Sequence, residues 1–536
     1  MARDHGREAK PTSAAPRRHV RRNTTSDGML LGLEMLLALA FGALHSLPMS
    51  YPSTWWLQIG CVAGLAWQVS RATPWRAALV GWSFGTAWLA ASVWWLYISM
   101  HRYGGLSSTL AVLAVFALSL FLSLYLAAAM ALFARLRRHR PLVDALLFGA
   151  CWMLAELARG VIFTGFPWGA AGYAHVDGPL ANLAPWVGVY GIGFVCACLG
   201  AGLVLGMRDA GQRSAGAVLG LGASATVLIA LALIKPAPFT QPTTQPATKL
   251  RVTLLQSNVP QDQKFVEAYL PQTLAWAQTQ LLAAKGDLVL GPETIVPLLP
   301  EQLPGDYWTP LALHFQREQA ALIGRPLGSF EAGYTNSVVG LSRDTVKWPG
   351  GFYRYDKHHL VPFGEFIPSG FRWFTDLMNI PLGDFSRGVR VAPSFIVKSE
   401  RVAPNICYED LFGEELAARF TDMNEAPTIF ANLSNIGWFG DTIAIKQHLI
   451  ISRMRAIEFQ RPMLRATNTG ATAVIDHHGV VVQSLAPFTQ GVLEAEIEGR
   501  QGLTPYAWWA SRFGLWPLLA VAVALMVLTL PLRKRE

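Results

Sequence analysis

The stretch "VAPNICYEDLFGEE" (402–415) joins a strand-like apolar run to a helix-like run, with a single cysteine at the junction. A side chain at such a turn can be exposed at the edge of a sheet, beside backbone N–H groups that lower the pKa of a thiol and can bind an oxyanion. Glu409 and Asp410 oppose this ionisation, because nearby negative charge disfavours a thiolate. Two interpretations of Cys407 therefore stay open: a nucleophile, or a small buried residue without chemistry.

The sequence around this stretch predicts an α/β domain over 248–500, preceded by a Pro-, Thr- and Gln-rich linker at 235–247. Short aliphatic runs end in Gly, Pro, Asn or acids, with helical patterns at 264–284 and 442–460 between them. This alternation favours an α/β sandwich over an all-β module. The strand-like runs are "LRVTLLQSN" (250–258), "DLVLGPET" (287–294), "AALIGRP" (320–326), "NSVVGLS" (336–342), "RVAPNICYED" (401–410) and "TIFANLSN" (428–435).

The composition of the whole chain is too apolar for a wholly soluble protein. Of the 536 residues, 52% are hydrophobic and only 15% are charged, and the mean hydropathy is +0.30. A helix needs about 20 apolar residues to cross a hydrocarbon layer of ~30 Å. The sequence therefore predicts a membrane domain of seven helices over 29–234 and an eighth transmembrane helix at 513–532. The first seven predicted spans are 29–47, 53–70, 77–99, 107–134, 142–160, 185–206 and 214–234.

The distribution of positive charge predicts the orientation of these spans. Basic residues gather in a polar tail (1–28) that is predicted to be disordered, in alternate short loops, and at 533–536. The short loops of the other face hold only Arg102 and Arg159. This bias predicts that both termini are cytoplasmic and that the inserted α/β domain lies on the periplasmic face. The net charge of +9 then reflects membrane topology and does not indicate a nucleic-acid partner.

Two further residues of the α/β domain could act with Cys407. Glu293 follows the strand-like run "DLVL" in "GPETIVP", and Lys357 lies in "YRYDKHHLVPFGEFIP" after another such run. Alone, each has an ordinary explanation: a carboxylate at a loop end, or a solvated lysine. Together they supply a base, a cation and a nucleophile, each at the end of a β-type run. They are at least 50 residues apart in the chain, so only the fold could bring them together.

The order of these motifs resembles the nitrilase superfamily, whose Glu, Lys and Cys match Glu293, Lys357 and Cys407. With the predicted spans, the chain is similar to the apolipoprotein N-acyltransferase family, the membrane-integrated branch of that superfamily. Three further blocks support the resemblance: "GFPWGAAGYAHVDGPLANLAPWVGVYG" (165–191), "NLSNIGWFGDT" (432–442) and "RMRAIEFQRPMLRATNTG" (453–470). Gly291, and the pair Ile436 and Gly437, depart from the family pattern.

The resemblance implies an αββα sandwich and a ping-pong acyl transfer without metal or organic cofactor. Cys407 would form a thioester, Glu293 would act as the base, and Lys357 with the next backbone N–H would stabilise the oxyanion. The implied donor is a phospholipid, at the sn-1 ester of phosphatidylethanolamine. The implied acceptor is the diacylglyceryl-cysteine of an apolipoprotein. The supporting residues implied by position are Glu365, Asn336, Tyr408, Glu409 and Trp438, each of which also has an ordinary structural explanation.

The resemblance also implies a monomer in the inner membrane of a Gram-negative bacterium. An aromatic-rich segment, "PSGFRWFTDLMNIPLGDFSRG" (368–388), is predicted to dip into the outer leaflet and guide lipid tails, although it could instead pack on the domain's own core. Adjacent histidines at 358–359 and 477–478 do not suit chelation of one metal ion.

Two other functions stay open from the sequence. A membrane-tethered amidohydrolase would use the same three residues but transfer the acyl group to water. A non-catalytic membrane scaffold that binds lipoproteins would need none of the three.

Overall fold

The computed structural model of this protein describes residues 24–207, 215–233, 237–375 and 384–529. The predicted tail, apart from its last residues, and the chain end at 530–536 lie outside these ranges. The helices of the first part begin with α1 at Thr24, and two of them, α3 and α7, start on a proline, which suits the first helical position. They are α1 (Thr24–Ser46), α2 (Trp55–Val69), α3 (Pro74–Val93), α4 (Leu96–Ile98), α5 (Ser108–Leu122), α6 (Leu124–Leu136), α7 (Pro141–Val161), α8 (Ala184–Met207) and α9 (Ala215–Leu233).

The structure supports a helical membrane domain but does not confirm eight spans. Within the described residues, four helical segments are long and apolar enough to cross a membrane, or six if each of two bent pairs counts as one span. Helix α2 has only 15 residues, short of the length that a bilayer needs. The four segments are Asp27–Met49, Ser108–Leu136, Pro141–Thr164 and Pro179–Leu205; the bent pairs are Pro74–Val93 with Leu96–Tyr103, at 60°, and Pro505–Phe513 with Trp516–Leu528, at 92°.

Two six-stranded mixed sheets form the second part of the protein. The first sheet has the order β13-β2-β3-β4-β5-β6, and the second has the order β12-β11-β10-β9-β8-β7, with the ranges given below. In each, three central strands are parallel and the outer strands are antiparallel. The strands are β1 (Thr240–Pro242), β2 (Leu250–Gln256), β3 (Leu288–Leu290), β4 (Ala320–Ser329), β5 (Gly333–Leu341), β6 (Tyr353–Asp356), β7 (Phe395–Val397), β8 (Glu400–Ile406), β9 (Ile429–Ser434), β10 (Met463–Thr467), β11 (Ala473–Ile475), β12 (Val481–Ser484), β13 (Gly491–Ile497) and β14 (Arg500–Gly502).

The sheets face each other across an aliphatic core, and helices cover both outer surfaces, as the predicted αββα sandwich requires. Leu254 and Leu290 of one sheet share this core with Ile406 and Leu433 of the other. Each of the six predicted strand-like runs overlaps an observed strand, and the helical pattern at 442–460 is observed as a helix over Ile443–Phe459. The outer helices are α10 (Leu270–Ala283) and α11 (Trp308–Phe315) on one side, and α13 (Gly413–Ala417), α14 (Ile443–Phe459) and α15 (Pro505–Phe513) on the other; α12 (Arg372–Thr375) and α16 (Trp516–Leu528) lie outside the sandwich.

The membrane helices and the sandwich share a second hydrophobic core. Trp168 and Tyr173 from the first part are buried in it together with Tyr408, Phe412 and Met454 from the second. Within the predicted linker, strand β1 pairs with β14. The two parts are therefore packed against each other on the side where β8 ends, and this places the end of β8 beside the membrane domain.

Candidate active site

Glu293 lies in the loop after β3, and both of its carboxylate oxygens are fixed. Oε1 accepts a hydrogen bond from Asn336 Nδ2 at 2.7 Å, and Oε2 accepts one from the backbone N–H of Asn435 at 2.7 Å. The side chain is buried, so these bonds compensate a desolvated carboxylate. The backbone oxygen of Glu293 also accepts a bond from Lys264 Nζ at 2.9 Å.

Lys357 follows β6 and is only 1% exposed. Its Nζ donates to Glu365 Oε1 at 2.8 Å and lies 3.6 Å from Glu293 Oε1. Asn336 Nδ2 also donates to Glu365 Oε1, at 2.8 Å, so one amide bridges both carboxylates. Burial alone would lower the pKa of Lys357, but Glu365 and Glu293 more than offset it and raise the pKa above its usual value. Lys357 is therefore a fixed cation between two glutamates.

Cys407 directly follows β8 and begins a short 3₁₀ turn, with φ = 52°. A left-handed conformation is uncommon for a residue with a side chain, and such strain persists only where neighbours enforce it. Here Asn432 Nδ2 and His448 Nε2 donate to the Cys407 carbonyl oxygen, at 3.1 and 3.2 Å. These bonds hold the turn that presents the thiol.

The thiol is close enough to the charged groups of the site for them to influence its ionisation. Burial raises the pKa of Cys407 to about 12, and Glu293 adds to the rise, while Lys357 and the backbone N–H of Asn435 oppose it. In the resting site the thiol is therefore protonated, and a carboxylate lies beside it to accept the proton.

The carboxylate of Glu409 is directed towards four hydrogen-bond donors and away from the sulfur of Cys407. Its Oε1 accepts from the backbone N–H groups of His358 and His359, and its Oε2 accepts from Tyr355 and from the N–H of Ile406. Glu409 therefore ties the segment that carries Lys357 to the end of β8.

Asp410 is also directed away, into a buried polar network. Its Oδ1 lies 3.0 Å from His448 Nε2, and its Oδ2 contacts Ser452 and Arg465. Burial would raise the pKa of Asp410, but His448, Arg465 and Ser452 hold it below its usual value. Arg465 donates to His448 Nδ1 at 3.1 Å, so His448 Nε2 carries the hydrogen that reaches the Cys407 carbonyl.

Tyr408 and Trp438 lie at the junction with the membrane domain. The Tyr408 hydroxyl donates to the carbonyl oxygen of Gly165 at 3.2 Å. Trp438 is half-buried, and its ring contacts Tyr103 edge-on with centroids 5.9 Å apart. The site therefore borders the membrane helices.

Gln447, the residue before His448 in α14, links the two parts of the protein. Its Oε1 accepts hydrogen bonds from the indole N–H groups of Trp95 and Trp168, at 3.1 and 2.9 Å. Thr442 caps the start of α14 by accepting from the N–H of Ala444. Helix α14 thus contacts the membrane domain through Gln447 and the turn of Cys407 through His448.

Sequence reasoning missed Lys264, Asn435 and His448. Asn435 lies within a quoted block and directly follows β9, as Glu293 follows β3, so its place after a strand was a usable signal. His448 lies on a helix whose polar residues are typical of a solvent-exposed helix, and Lys264 lies in a loop without a motif. The residues next to them in the sequence therefore did not indicate a functional role for either.

The departures from the family pattern are accommodated by neighbours. A Cβ added at Gly291 would lie 3.0 Å from Ile295 Cγ2, so Ile295 occupies the space that a larger residue would need. Ile436 is buried in the core that both parts share. Gly437 lies beside Asn435 and Gln261.

The predicted lipid-guiding segment (368–388) is described only at its two ends, since 376–383 lie outside the described residues. Trp373 is 63% exposed, and the chain that returns from 384 to 388 is hydrogen-bonded to residues of the site. The N–H of Phe385 donates to Glu365 O at 2.8 Å, and the N–H of Gly388 donates to Lys357 O at 2.9 Å. The C-terminal end of this segment is therefore hydrogen-bonded to the backbone of Glu365 and Lys357, two charged residues of the site.

Among the described residues, no group of three or more His, Cys, Asp and Glu side chains is placed to hold a metal ion. His478 lies in a turn in which Asp476 accepts from the N–H groups of His478 and Val480.

Both the helical part and the sandwich of this chain match family models of known proteins. Residues 41–202 match the family model of the apolipoprotein N-acyltransferase N-terminal domain, and residues 251–506 match that of carbon-nitrogen hydrolase. An apolipoprotein N-acyltransferase of Verminephrobacter eiseniae is 53% identical over 90% of this chain and 94% of its own. One of Ralstonia nicotianae is 46% identical over 93% of each chain. A crystal structure of a carbon-nitrogen hydrolase from Helicobacter pylori covers 51% of this chain and 95% of its own, with 18% identity and a TM-score of 0.32.

Proposed function

The chain belongs to the apolipoprotein N-acyltransferase family, and we propose that it transfers an acyl chain from a phospholipid to the N-terminal amine of apolipoproteins. The observation that carries the proposal is the pair of buried charges, Glu293 and Lys357, beside the partly buried thiol of Cys407 and next to a membrane domain. Such a cluster supplies a base, a cation and a nucleophile in one water-poor site.

In the first half-reaction, Glu293 takes the proton of the Cys407 thiol, and the sulfur attacks an ester carbonyl of the phospholipid. A C–S bond forms, and the carbonyl electrons move to oxygen. Lys357 and the backbone N–H of Tyr408 stabilise this oxyanion. When the C–O bond breaks, Glu293 returns its proton to the departing lysophospholipid oxygen. A thioester on Cys407 remains.

In the second half-reaction, the α-amine of a diacylglyceryl-cysteine attacks the thioester. Glu293 accepts a proton from the amine as the C–N bond forms, and that proton returns to the sulfur when the C–S bond breaks. The free thiol is regenerated, and an N-acylated lipoprotein leaves. No step requires a metal or an organic cofactor, because the thioester already activates the acyl group.

The finer points of the proposal concern the donor and the topology. The donor is the sn-1 ester of phosphatidylethanolamine, and the acceptor is a diacylated apolipoprotein. Eight spans would place both termini in the cytoplasm and the sandwich on the periplasmic face of a Gram-negative inner membrane. The protein would act there as a monomer. The segment 368–388, attached at its base to Glu365 and Lys357, would guide lipid tails to the thiol.

The test separates the two half-reactions. Purified protein incubated with phosphatidylethanolamine alone should carry a hydroxylamine-labile acyl group on the Cys407 peptide, detected by mass spectrometry. Cys407→Ala should carry none, whereas Cys198→Ala, which removes a thiol of the membrane helices, should match the wild type. Glu293→Gln should form the adduct about 10²–10⁴ times more slowly, which is the usual contribution of a general base. Normal adduct formation in Glu293→Gln would remove the base from the mechanism.

The second addition decides between acyltransferase and hydrolase. A diacylated lipopeptide should discharge the thioester to a stable amide. Release of free fatty acid in its place would favour a membrane-tethered amidohydrolase. Absence of any adduct in the wild type would leave the scaffold interpretation.

A further inference from the structure

Lys264 is a buried cation beside the base that the proposed mechanism does not use. It lies between β2 and α10, and it is 2% exposed. Its ammonium group donates to the backbone oxygen of Glu293 at 2.9 Å. Lysine is rarely buried without a partner, because its desolvation is costly. A lysine held at this depth needs a compensating charge nearby.

The charges of the site show what Lys264 compensates. Glu293 and Glu365 are both buried carboxylates, and Lys357 is a single cation between them. These three groups alone leave one uncompensated negative charge, which is unfavourable inside a protein. Lys264 restores neutrality. When the proton moves from Cys407 to Glu293, the negative charge moves from oxygen to sulfur, and the cluster stays neutral only if Lys264 is charged.

The ionisation of Lys264 responds to both reacting groups. Burial lowers the pKa of Lys264 to about 8, while the Glu293 carboxylate and the Cys407 thiolate oppose that fall. Asp262, two residues earlier, is no partner for it, because its side chain is 54% exposed and faces Arg102. Near neutral pH, Lys264 is therefore a cation, and at alkaline pH it loses its charge.

Resting on the proposed function, we propose that Lys264 is a positioning residue for acyl transfer, which holds the backbone of Glu293 and supplies the charge that lets Cys407 pass its proton to Glu293. Other ionisable groups lie around Cys407. Glu293, Lys357, Glu365 and Arg465 interact electrostatically with its thiol, while Glu409, Asp410 and His448 bind the backbone and side chains of its turn.

The test measures the reactivity of the thiol without any lipid. Full-length wild type, Lys264→Met and Lys264→Arg are treated with iodoacetamide in detergent, from well below pH 8 to well above it. Alkylation of the Cys407 peptide is followed by mass spectrometry. Lys249→Met serves as the control, because Lys249 is 61% exposed and pairs only with Glu496 on the surface.

Below about pH 8, Lys264→Met should alkylate about tenfold more slowly, since a neighbouring cation is worth one pKa unit or more to a thiol. Above that pH the two rates should converge, because the wild-type lysine has then lost its charge. Lys264→Arg should keep the fast rate below pH 8 and stay above the wild type at alkaline pH, since arginine remains protonated.

A rate ratio that is constant across the pH range, or equal rates throughout, would overturn the inference, because packing alone would then explain Lys264. If Lys264→Met does not yield folded protein, the Lys264→Arg variant decides the question. An alkylation rate of Lys264→Arg that equals the wild-type rate above pH 8 overturns the inference. Failure of the proposed function is a separate result. In that case wild-type Cys407 is alkylated by iodoacetamide but never acylated by phospholipid.

Discussion

Replacing Glu409 with glutamine tests whether the acid next to the cysteine holds the site together. The carboxylate accepts four hydrogen bonds: from the N–H of His358 at 2.7 Å, from that of His359 at 3.2 Å, from the Tyr355 hydroxyl at 2.7 Å, and from the N–H of Ile406 at 2.6 Å. Glutamine has nearly the same shape but offers only one acceptor oxygen. The substitution therefore removes acceptors without creating a cavity.

The expected loss of stability follows from the best set of hydrogen bonds that glutamine can make at position 409. With its oxygen towards the two histidine N–H groups, its amide NH₂ faces Tyr355 and Ile406. The Tyr355 hydroxyl can rotate and accept, but the Ile406 N–H is left without a partner. An unsatisfied buried donor costs about 1–3 kcal/mol, and the lost charge-assisted bond adds about 1.5–3 kcal/mol. Glu409→Gln should therefore destabilise the protein by about 2.5–6 kcal/mol.

The kinetic effect is a consequence of geometry. Glu409 joins the Lys357 segment to the end of β8, so its loss lets the cation and the thiol move apart. A misplacement of about 1 Å at a reacting centre can cost about a hundredfold in rate. We therefore expect thioester formation on Cys407 to slow by about that factor in Glu409→Gln.

The assay uses a matched carboxylate as its control. Thermal unfolding in detergent and hydroxylamine-labile acylation of Cys407 are measured for wild type, Glu409→Gln and Glu415→Gln. Glu415 has its contact with His359 at 3.0 Å and is 24% exposed, so its amide variant should stay within about 1 kcal/mol of the wild type. An unchanged melting midpoint together with an unchanged acylation rate in Glu409→Gln would refute the reasoning, because Glu409 would then act as a neutral acid.

Three other predictions follow from contacts described above. Gln447→Leu leaves the buried indole N–H of Trp168 without an acceptor, while that of Trp95 keeps the Ser92 carbonyl oxygen, so its melting midpoint should fall; an unchanged midpoint would contradict the proposed link between the two domains. Burial would raise the pKa of Asp287, but Arg251 and Lys398 lower it to about 2 from the usual 3.8. Asp287→Asn should therefore cost about 1 kcal/mol above pH 4, measured by unfolding, and the deficit should vanish as the pH falls towards 2, because the wild-type carboxylate loses its contribution there. Trp438→Ala should raise the Michaelis constant for lipopeptide and leave thioester formation unchanged; slower thioester formation would instead place Trp438 in the first half-reaction.

The sandwich could be predicted because its signals are local. Each predicted run holds aliphatic residues bounded by turn formers, and candidate site residues lie after β3, β6 and β8. Glu293, Lys357 and Cys407 each follow a strand directly or within a few residues, so strand ends were a sufficient guide to them. Their mutual contacts depend on strand order, which the sequence does not display.

The number of spans could not be predicted with the same success, because hydropathy does not register bends or short helices. The predicted span at 77–99 is broken after Val93, and the last predicted span is preceded by a helix at 92° to it. An apolar stretch has the same hydropathy whether its helix crosses the bilayer straight or bends at the bilayer surface.

Lys264 and His448 could not be found because burial of a polar residue is a long-range property. The pattern of α14 places Gln447, His448, Arg455 and Glu458 among polar residues that would suit a solvated helix, yet all four are buried. Their partners come from the membrane domain, the turn of Cys407 and the neighbouring strand. A helix enclosed on several sides loses the amphipathic pattern by which helices are usually oriented.

The position of α14 makes the sandwich inseparable from the membrane domain. A soluble fragment confined to the sandwich would retain every residue that carries charge in the site. It would, however, expose Ile450 and Met454 to water and leave Gln447 without its indole partners. The same helix fixes the carbonyl of Cys407 through His448. Exchange of whole domains between relatives should therefore fail unless the facing surfaces of both parts are exchanged together.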